Sequence, residues 1–232
     1  MSLYYQDDMV TLYHGDCLTE HREWLDADVL VTDPPYGIGY RRGRYASGHN
    51  PEPNLGIAND HDTSFRDHAL NQWGTEKPGL VFGSLSAPSP FGWRQALVFR
   101  KPSATASGMF GAFLPWRKDW EPVYVLGKSW PRTPSQLSSV VETGERSAGG
   151  YSGYATRTGH PHTKPIDVME KLIMACPPGV VADPFAGSGS TLVAAVNQGR
   201  HAIGVELEER YCEVIAKRLS NHTRSLFTEV TP

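Results

Sequence analysis

The chain of 232 residues contains no run of 18 apolar residues, so no segment of it is long and apolar enough to cross a bilayer as a helix. Cysteine is scarce: Cys17, Cys176 and Cys212 are scattered with no C-x-x-C spacing. That argues against a disulfide framework and leaves core thiols in a reducing compartment. Gly-Lys-Ser/Thr is absent, which disfavours an NTPase. The start, Met1-Ser2-Leu3-Tyr4-Tyr5-Gln6-Asp7-Asp8, is acidic and lacks a signal-peptide pattern. His160-Pro161-His162 has no apparent third ligand nearby, so it reads as a loop and no metal is expected. The length suits one α/β domain, residues 1–232, with a sizeable core. The expectation is a cytoplasmic protein.

No strong excess of one charge exists either, since the net charge is −3. The distribution is uneven. Residues 1–30 hold seven acids and one arginine, whereas residues 86–135 hold seven bases and two acids. Arg41, Arg42 and Arg44 form a short basic cluster, suited to contact with phosphate.

What is present begins with Asp33-Pro34-Pro35-Tyr36-Gly37. It follows Ala27-Asp28-Val29-Leu30-Val31-Thr32, which reads as a buried strand. The prolines cannot continue a sheet and carry no N–H, so they stiffen a loop at the strand's C-terminal end. That loop presents a carboxylate, bare carbonyls and an aromatic ring. Such a set suits an exocyclic amine of a nucleobase, with two N–H bonds to donate and a flat ring to stack. Alone, the run is equally a Pro-rich turn with a buried tyrosine.

A second motif adds weight. Gly179 to Ala182 reads as a strand, Asp183-Pro184-Phe185-Ala186-Gly187-Ser188-Gly189-Ser190 as a glycine-rich turn, and Thr191 to Val196 as a helix. Another strand, His201 to Val205, ends at Glu206, 19 residues after Gly187. A ribose-binding acid belongs there in a βαβ nucleotide site. The alternative is glycines that merely pack strand against helix.

Elsewhere the elements alternate. Val10–Tyr13, Gly79–Gly83, Ala96–Phe99 and Pro122–Leu126 read as strands. Leu18–Leu25, Phe65–Trp73, Pro165–Cys176 and Glu208–Leu219 read as helices. Residues 40–62 read as a long mobile loop, and the Ser/Thr/Gly/Pro-rich stretch 128–159 as an irregular insertion. The alternation predicts a doubly wound, mostly parallel sheet.

These motifs together resemble the DNA amino-methyltransferases, which methylate adenine N6 or cytosine N4. Asp33 to Tyr36 matches the family's D-P-P-Y, and Asp183, Phe185, Gly187 and Gly189 match D-x-F-x-G-x-G. His160 to Pro165 is similar to H-P-x-x-K-P, and Gly15 to Leu18 matches G-D-C-L. The catalytic motif precedes the cofactor loop, as in the permuted class called β. The resemblance implies a Rossmann-like S-adenosylmethionine-dependent methyltransferase fold acting on double-stranded DNA. Asp33, Pro34, Pro35 and Tyr36 are then catalytic. Asp183 and the Phe185–Gly189 loop would cradle S-adenosylmethionine, with Glu206 on its ribose, Asp16 on its adenine amine, and Lys164, helped by Thr163, near its carboxylate. Arg41, Arg42 and Arg44 would contact DNA, and 128–159 would help recognise the target.

The resemblance favours adenine over cytosine N4. Methylation at cytosine C5 needs a cysteine nucleophile, typically after proline, and no cysteine here follows one. Two other classes stay open: a nicotinamide-dependent oxidoreductase, which leaves the Pro-Pro-Tyr loop unexplained, and a DNA-binding relative without catalysis.

Overall fold

A computed structural model describes residues 2–39, 56–101, 119–131, 137–144, 158–160 and 162–228. In chain order the strands are β1 (Ser2–Gln6), β2 (Val10–His14), β3 (Val29–Thr32), β4 (Gly79–Phe82), β5 (Gln95–Arg100), β6 (Trp120–Leu126), β7 (Val140–Glu142), β8 (Val181–Asp183) and β9 (Ala202–Glu206). The helices are α1 (Ser64–Trp73), α2 (Ile166–Met174), α3 (Ser190–Asn197) and α4 (Glu209–Thr228). Among the described residues the strands form one sheet in the order β1-β2-β9-β8-β3-β4-β6-β5-β7. Five of its eight pairings are parallel and three antiparallel.

Both faces of the sheet are covered, and the central strands show why. Val29 and Val31 of β3, Leu80 and Phe82 of β4 and Val181 of β8 join one buried cluster with Met169, Leu172, Leu192 and Ile215 from α2, α3 and α4. Their alternates Leu30, Val81 and Ala182 join a second cluster with Trp24, Ala69 and Trp73. Successive side chains of a strand point to opposite faces, so a strand buried on both sides reads as an unbroken apolar run. The indole rings of Trp24 and Trp73 stack at 5.9 Å on the second face.

Four details differ from the sequence reading. The Leu18–Leu25 helix is a turn followed by a 3-10 helix, Glu23–Asp26. Asp16 bends the chain there, its carbonyl accepting from the N–H of Glu20 and His21. The 128–159 stretch is not wholly irregular: Val140-Val141-Glu142 pairs in parallel with β5, a β-branched pair completing an edge. Residues 56–62 are pinned rather than loose, because buried Asp60 accepts from Gly37 N–H at 2.7 Å. The acidic N-terminus carries β1, antiparallel to β2. Asp7 tightens that hairpin by accepting from the N–H of Met9 and Val10.

Candidate active site

The C-terminal ends of the parallel strands β2, β9, β8, β3 and β4 lie side by side, the edge at which open α/β sheets bind ligands. Asp16 follows β2, Glu206 ends β9, Asp183 ends β8 and Asp33 follows β3. Residues of all four segments line one cavity. Glu121 reaches the same edge by the opposite route. It is the second residue of the antiparallel strand β6, whose Val123 pairs with Phe82 at the end of β4. Lys101 follows the end of β5.

Asp33 sits in a tight charged group. Tyr36 Oη donates to Asp33 Oδ1 at 2.6 Å, and Lys164 Nζ donates to Asp33 Oδ2 at 2.6 Å and to Tyr36 Oη at 3.1 Å. Lys164 is 3% exposed, its ammonium lying 4.7 Å from the Phe82 ring centroid and 3.3 Å from Glu121 Oε2. The other oxygen of Glu121 pairs with Lys101 Nζ at 2.5 Å. Burial alone would raise the Glu121 carboxyl, but the Lys164 and Lys101 ammonium groups overcome it and hold it below its ordinary range. Burial pushes the Tyr36 phenol well up, as does the nearby Asp33 charge, so its proton stays to fix the ring against Asp33.

The glycine-rich turn is held open by its glycines. Gly187 has φ +54°, and a Cβ there would approach the His160 ring to 3.2 Å. Gly189 has φ +79°, and a Cβ there would lie 2.9 Å from Ile215 Cγ1. Only glycine adopts these angles without strain. Glu206 bridges turn and strand, accepting from Gly187 N–H at 2.7 Å and Glu208 N–H at 2.8 Å. Burial raises its carboxyl to about 7 despite those two bonds. Asp183 is also raised, to about 6, by burial, against hydrogen bonds from Thr191, Thr32 and the Phe185 N–H. His160 rests edge-on against Tyr211, centroids 4.6 Å apart, and burial drives its imidazole down to about 3, so it is neutral.

The structure therefore brings together Asp33, Pro34, Pro35, Tyr36, Lys164, Asp183, Phe185, Gly187, Asp16 and Glu206 around one cavity. Gly189 stands just behind, at the N-cap of α3. Asp16 Oδ1 accepts from Leu18 N–H at 2.7 Å. Lys164, assigned by the resemblance to a cofactor carboxylate, has its ammonium on Asp33, Tyr36 and Glu121 instead. Thr163 is buried beside it. Arg41, Arg42 and Arg44, and the insertion's Arg132, Arg146 and Arg157, lie outside the described residues. Sequence reading missed Glu121, Lys101 and Asp60. The one available signal was a lone carboxylate against Pro122 at the head of an apolar strand.

A family model described as DNA methylase matches residues 98–218. YubD of Escherichia coli, a candidate methylase by its name, is 31% identical over 235 residues, covering 94% of this chain and 93% of that protein. The type II methyltransferase M.ScaI of Streptomyces caespitosus is 39% identical over 104 residues, 44% of this chain and 32% of its own length. Among solved structures, the M1.HpyAVI–SAM complex superposes with a TM-score of 0.60 at 20% identity, over 91% of this chain and 99% of that one. The cytosine-N4-specific PvuII DNA methyltransferase gives 0.63 at 17%, over 92% and 87%. At such identities these two likenesses speak for the fold alone, a Rossmann-like sheet.

Proposed function

The chain belongs to the DNA methylase family of N6/N4 amino-methyltransferases, and from that premise we propose that it moves a methyl group from S-adenosylmethionine to the exocyclic amine of a flipped base in double-stranded DNA, with adenine N6 as the target. One observation carries the reading: Asp33 and Glu206, an amine acceptor and a ribose acceptor, face one cavity from strands separated only by β8. The residues fit the cofactor. The Gly187 backbone leaves a space that a Cβ would close against His160, and Glu206 already has two backbone donors to orient it.

When bound, S-adenosylmethionine supplies an electrophilic methyl. Glu206 would accept from the ribose hydroxyls and Asp16 from the adenine amine, and the Phe185–Gly189 backbone would hold the methionine portion. The chain's remaining task is to make a poor nucleophile better. The lone pair of an aromatic amine is delocalised into its ring. Asp33 and the Pro34 carbonyl accept its two N–H bonds, which favours a pyramidal nitrogen with a localised lone pair. The Tyr36 ring, tethered through its hydroxyl to Asp33, offers a stacking face worth roughly 1–3 kcal/mol per base. That gain offsets part of the few kcal/mol that extruding the base costs. The rest is positioning for an in-line transfer. Arg41, Arg42 and Arg44 contact phosphate, and residues 128–159 contribute to target recognition.

The test is to incubate the protein with radiolabelled cofactor and unmodified DNA, digest, and identify the labelled nucleoside. N6-methyladenine is expected. N4-methylcytosine would reassign the base, and unlabelled DNA would overturn the reading.

A further inference from the structure

The mechanism above leaves the buried carboxylate of Glu121 unused. Glu121 is 9% exposed and lies in the same charged group as Asp33, joined to it through Lys164. Both Asp33 oxygens are occupied: Oδ1 by the Tyr36 hydroxyl and Oδ2 by the Lys164 ammonium. Each oxygen can accept a further bond, but a target amine that approaches Oδ2 competes there with a cation that already donates. An ammonium binds a carboxylate more strongly than a neutral amine does. Displacing it into a buried site with no second anion would leave an uncompensated charge, which is strongly unfavourable.

A second anion is in place. Glu121 Oε2 lies 3.3 Å from Lys164 Nζ, beyond the best hydrogen-bond length, while Asp33 holds the same ammonium at 2.6 Å. Glu121 itself is anchored through its other oxygen by Lys101 at 2.5 Å, so a small swing of the lysine side chain, with no backbone movement, transfers it from one carboxylate to the other. Resting on the methyltransferase reading, we propose that Glu121 is a positioning residue which takes over the Lys164 ammonium when the target amine takes Asp33. Lys164 then serves as a place-holder: it keeps the Asp33 carboxylate compensated until a base arrives, and Glu121 makes its departure possible. Lys101 and Lys164 keep Glu121 ionised for that task.

Glu121→Gln keeps the side chain's size and removes its charge. The rate of label transfer into unmodified plasmid DNA is expected to fall by about tenfold or more, the scale of one lost charge-assisted hydrogen bond. Cofactor affinity, read by calorimetry, stays unchanged. Lys164→Met supplies the readout that a merely structural glutamate would not move. With no ammonium to receive, Glu121→Gln adds nothing on that background, and the double-mutant cycle shows strong coupling. A wild-type rate in Glu121→Gln, or losses that multiply independently in the double variant, overturns the proposal. If Glu121→Gln does not fold, Lys101→Gln loosens the same carboxylate from its other side. It is expected to slow transfer in the same way, and a wild-type rate there is equally fatal. A wild-type protein that transfers no label would overturn the methyltransferase reading itself, whereas an active wild type beside an equally active Glu121→Gln overturns this proposal alone.

Discussion

Thr32 and Asp183, 151 residues apart, are joined by a 2.6 Å hydrogen bond from the threonine hydroxyl to Asp183 Oδ1. Thr32 immediately precedes the Asp33–Gly37 loop and Asp183 opens the glycine-rich turn, so the bond fixes the two halves of the candidate site to each other. Thr32→Val preserves shape and removes one of the bonds to Asp183, leaving those from the Phe185 N–H and Thr191; one hydrogen bond to a charged group is worth about 1.5–3 kcal/mol. A matching drop in stability by denaturant titration is expected. The Asp183 carboxyl should also rise further above about 6, because one bond favouring its charged form is gone. An unchanged midpoint would mean that the bond contributes nothing.

Asp33→Ala is expected to lower the transfer rate by roughly 10²–10³-fold, the range for removing one preorganised hydrogen-bonding group from a reacting centre. Its contacts are Tyr36 and Lys164 rather than the glycine-rich turn, so the calorimetric cofactor affinity should survive. A large loss of cofactor binding would contradict that division of roles.

Glu206 links stability to pH. Its carboxyl is raised from 4.5 to about 7 by burial, so the fold retains the proton at pH values where the unfolded chain has released it. Its contribution is therefore complete below about 4.5 and is lost as pH rises through about 7. Glu206→Gln removes this penalty. Relative to wild type, the variant should gain with pH, by at most about 3 kcal/mol above neutrality from the Glu206 carboxyl itself. His160 titrates in both proteins, whereas Asp183, coupled to Glu206 by like charge, is relieved in the variant, which adds to the gain with the same sign. Thermal melts of the ligand-free pair from pH 5 to 8 check it, and a difference flat with pH would count against a raised carboxyl. Glu206→Ala should separately weaken cofactor binding by about 1.5–3 kcal/mol, through loss of a charge-assisted bond.

Replacing Arg41, Arg42 and Arg44 together with alanine should weaken binding to every DNA sequence alike. Each phosphate contact removed lowers the slope of log affinity against log salt by about 0.9. Affinities measured across a salt series decide, and a wild-type slope would show that the three arginines touch no phosphate.

The legible parts of this chain were those whose signal is local. Val29 to Thr32 is a continuous apolar run because β3 is buried on both faces, and the Asp33 and Gly187 turns punctuate strands with residues that cannot extend them. The illegible parts depend on distant partners. Nothing in the order of residues tells Lys164 that its ammonium rests on Asp33, 131 residues earlier, rather than facing a ligand. Glu121 acquires its place only because β6 runs antiparallel beside β4, and strand direction is not written in P-V-Y-V-L. The Val140–Glu142 edge strand was hidden by its polar neighbours, and the Glu23–Asp26 turn by an apolar spacing that suits an α-helix as well.

The sheet order has a further cost in time. β3 pairs with β8 and β2 with β9, so two early strands, already flanked on one side by β4 and β1, each receive their second neighbour only when the far end of the chain exists. At synthesis rates of 5–20 residues per second, β3 leaves the ribosome roughly 10–30 s before β8. Throughout that interval its apolar edge is open, a template for any other extended chain. Contacts of such long sequence separation also slow the search for the native pairing. Refolding of this protein from denaturant should therefore be slow and lose yield as concentration rises, with nascent chains ending before Val181 the most prone to associate.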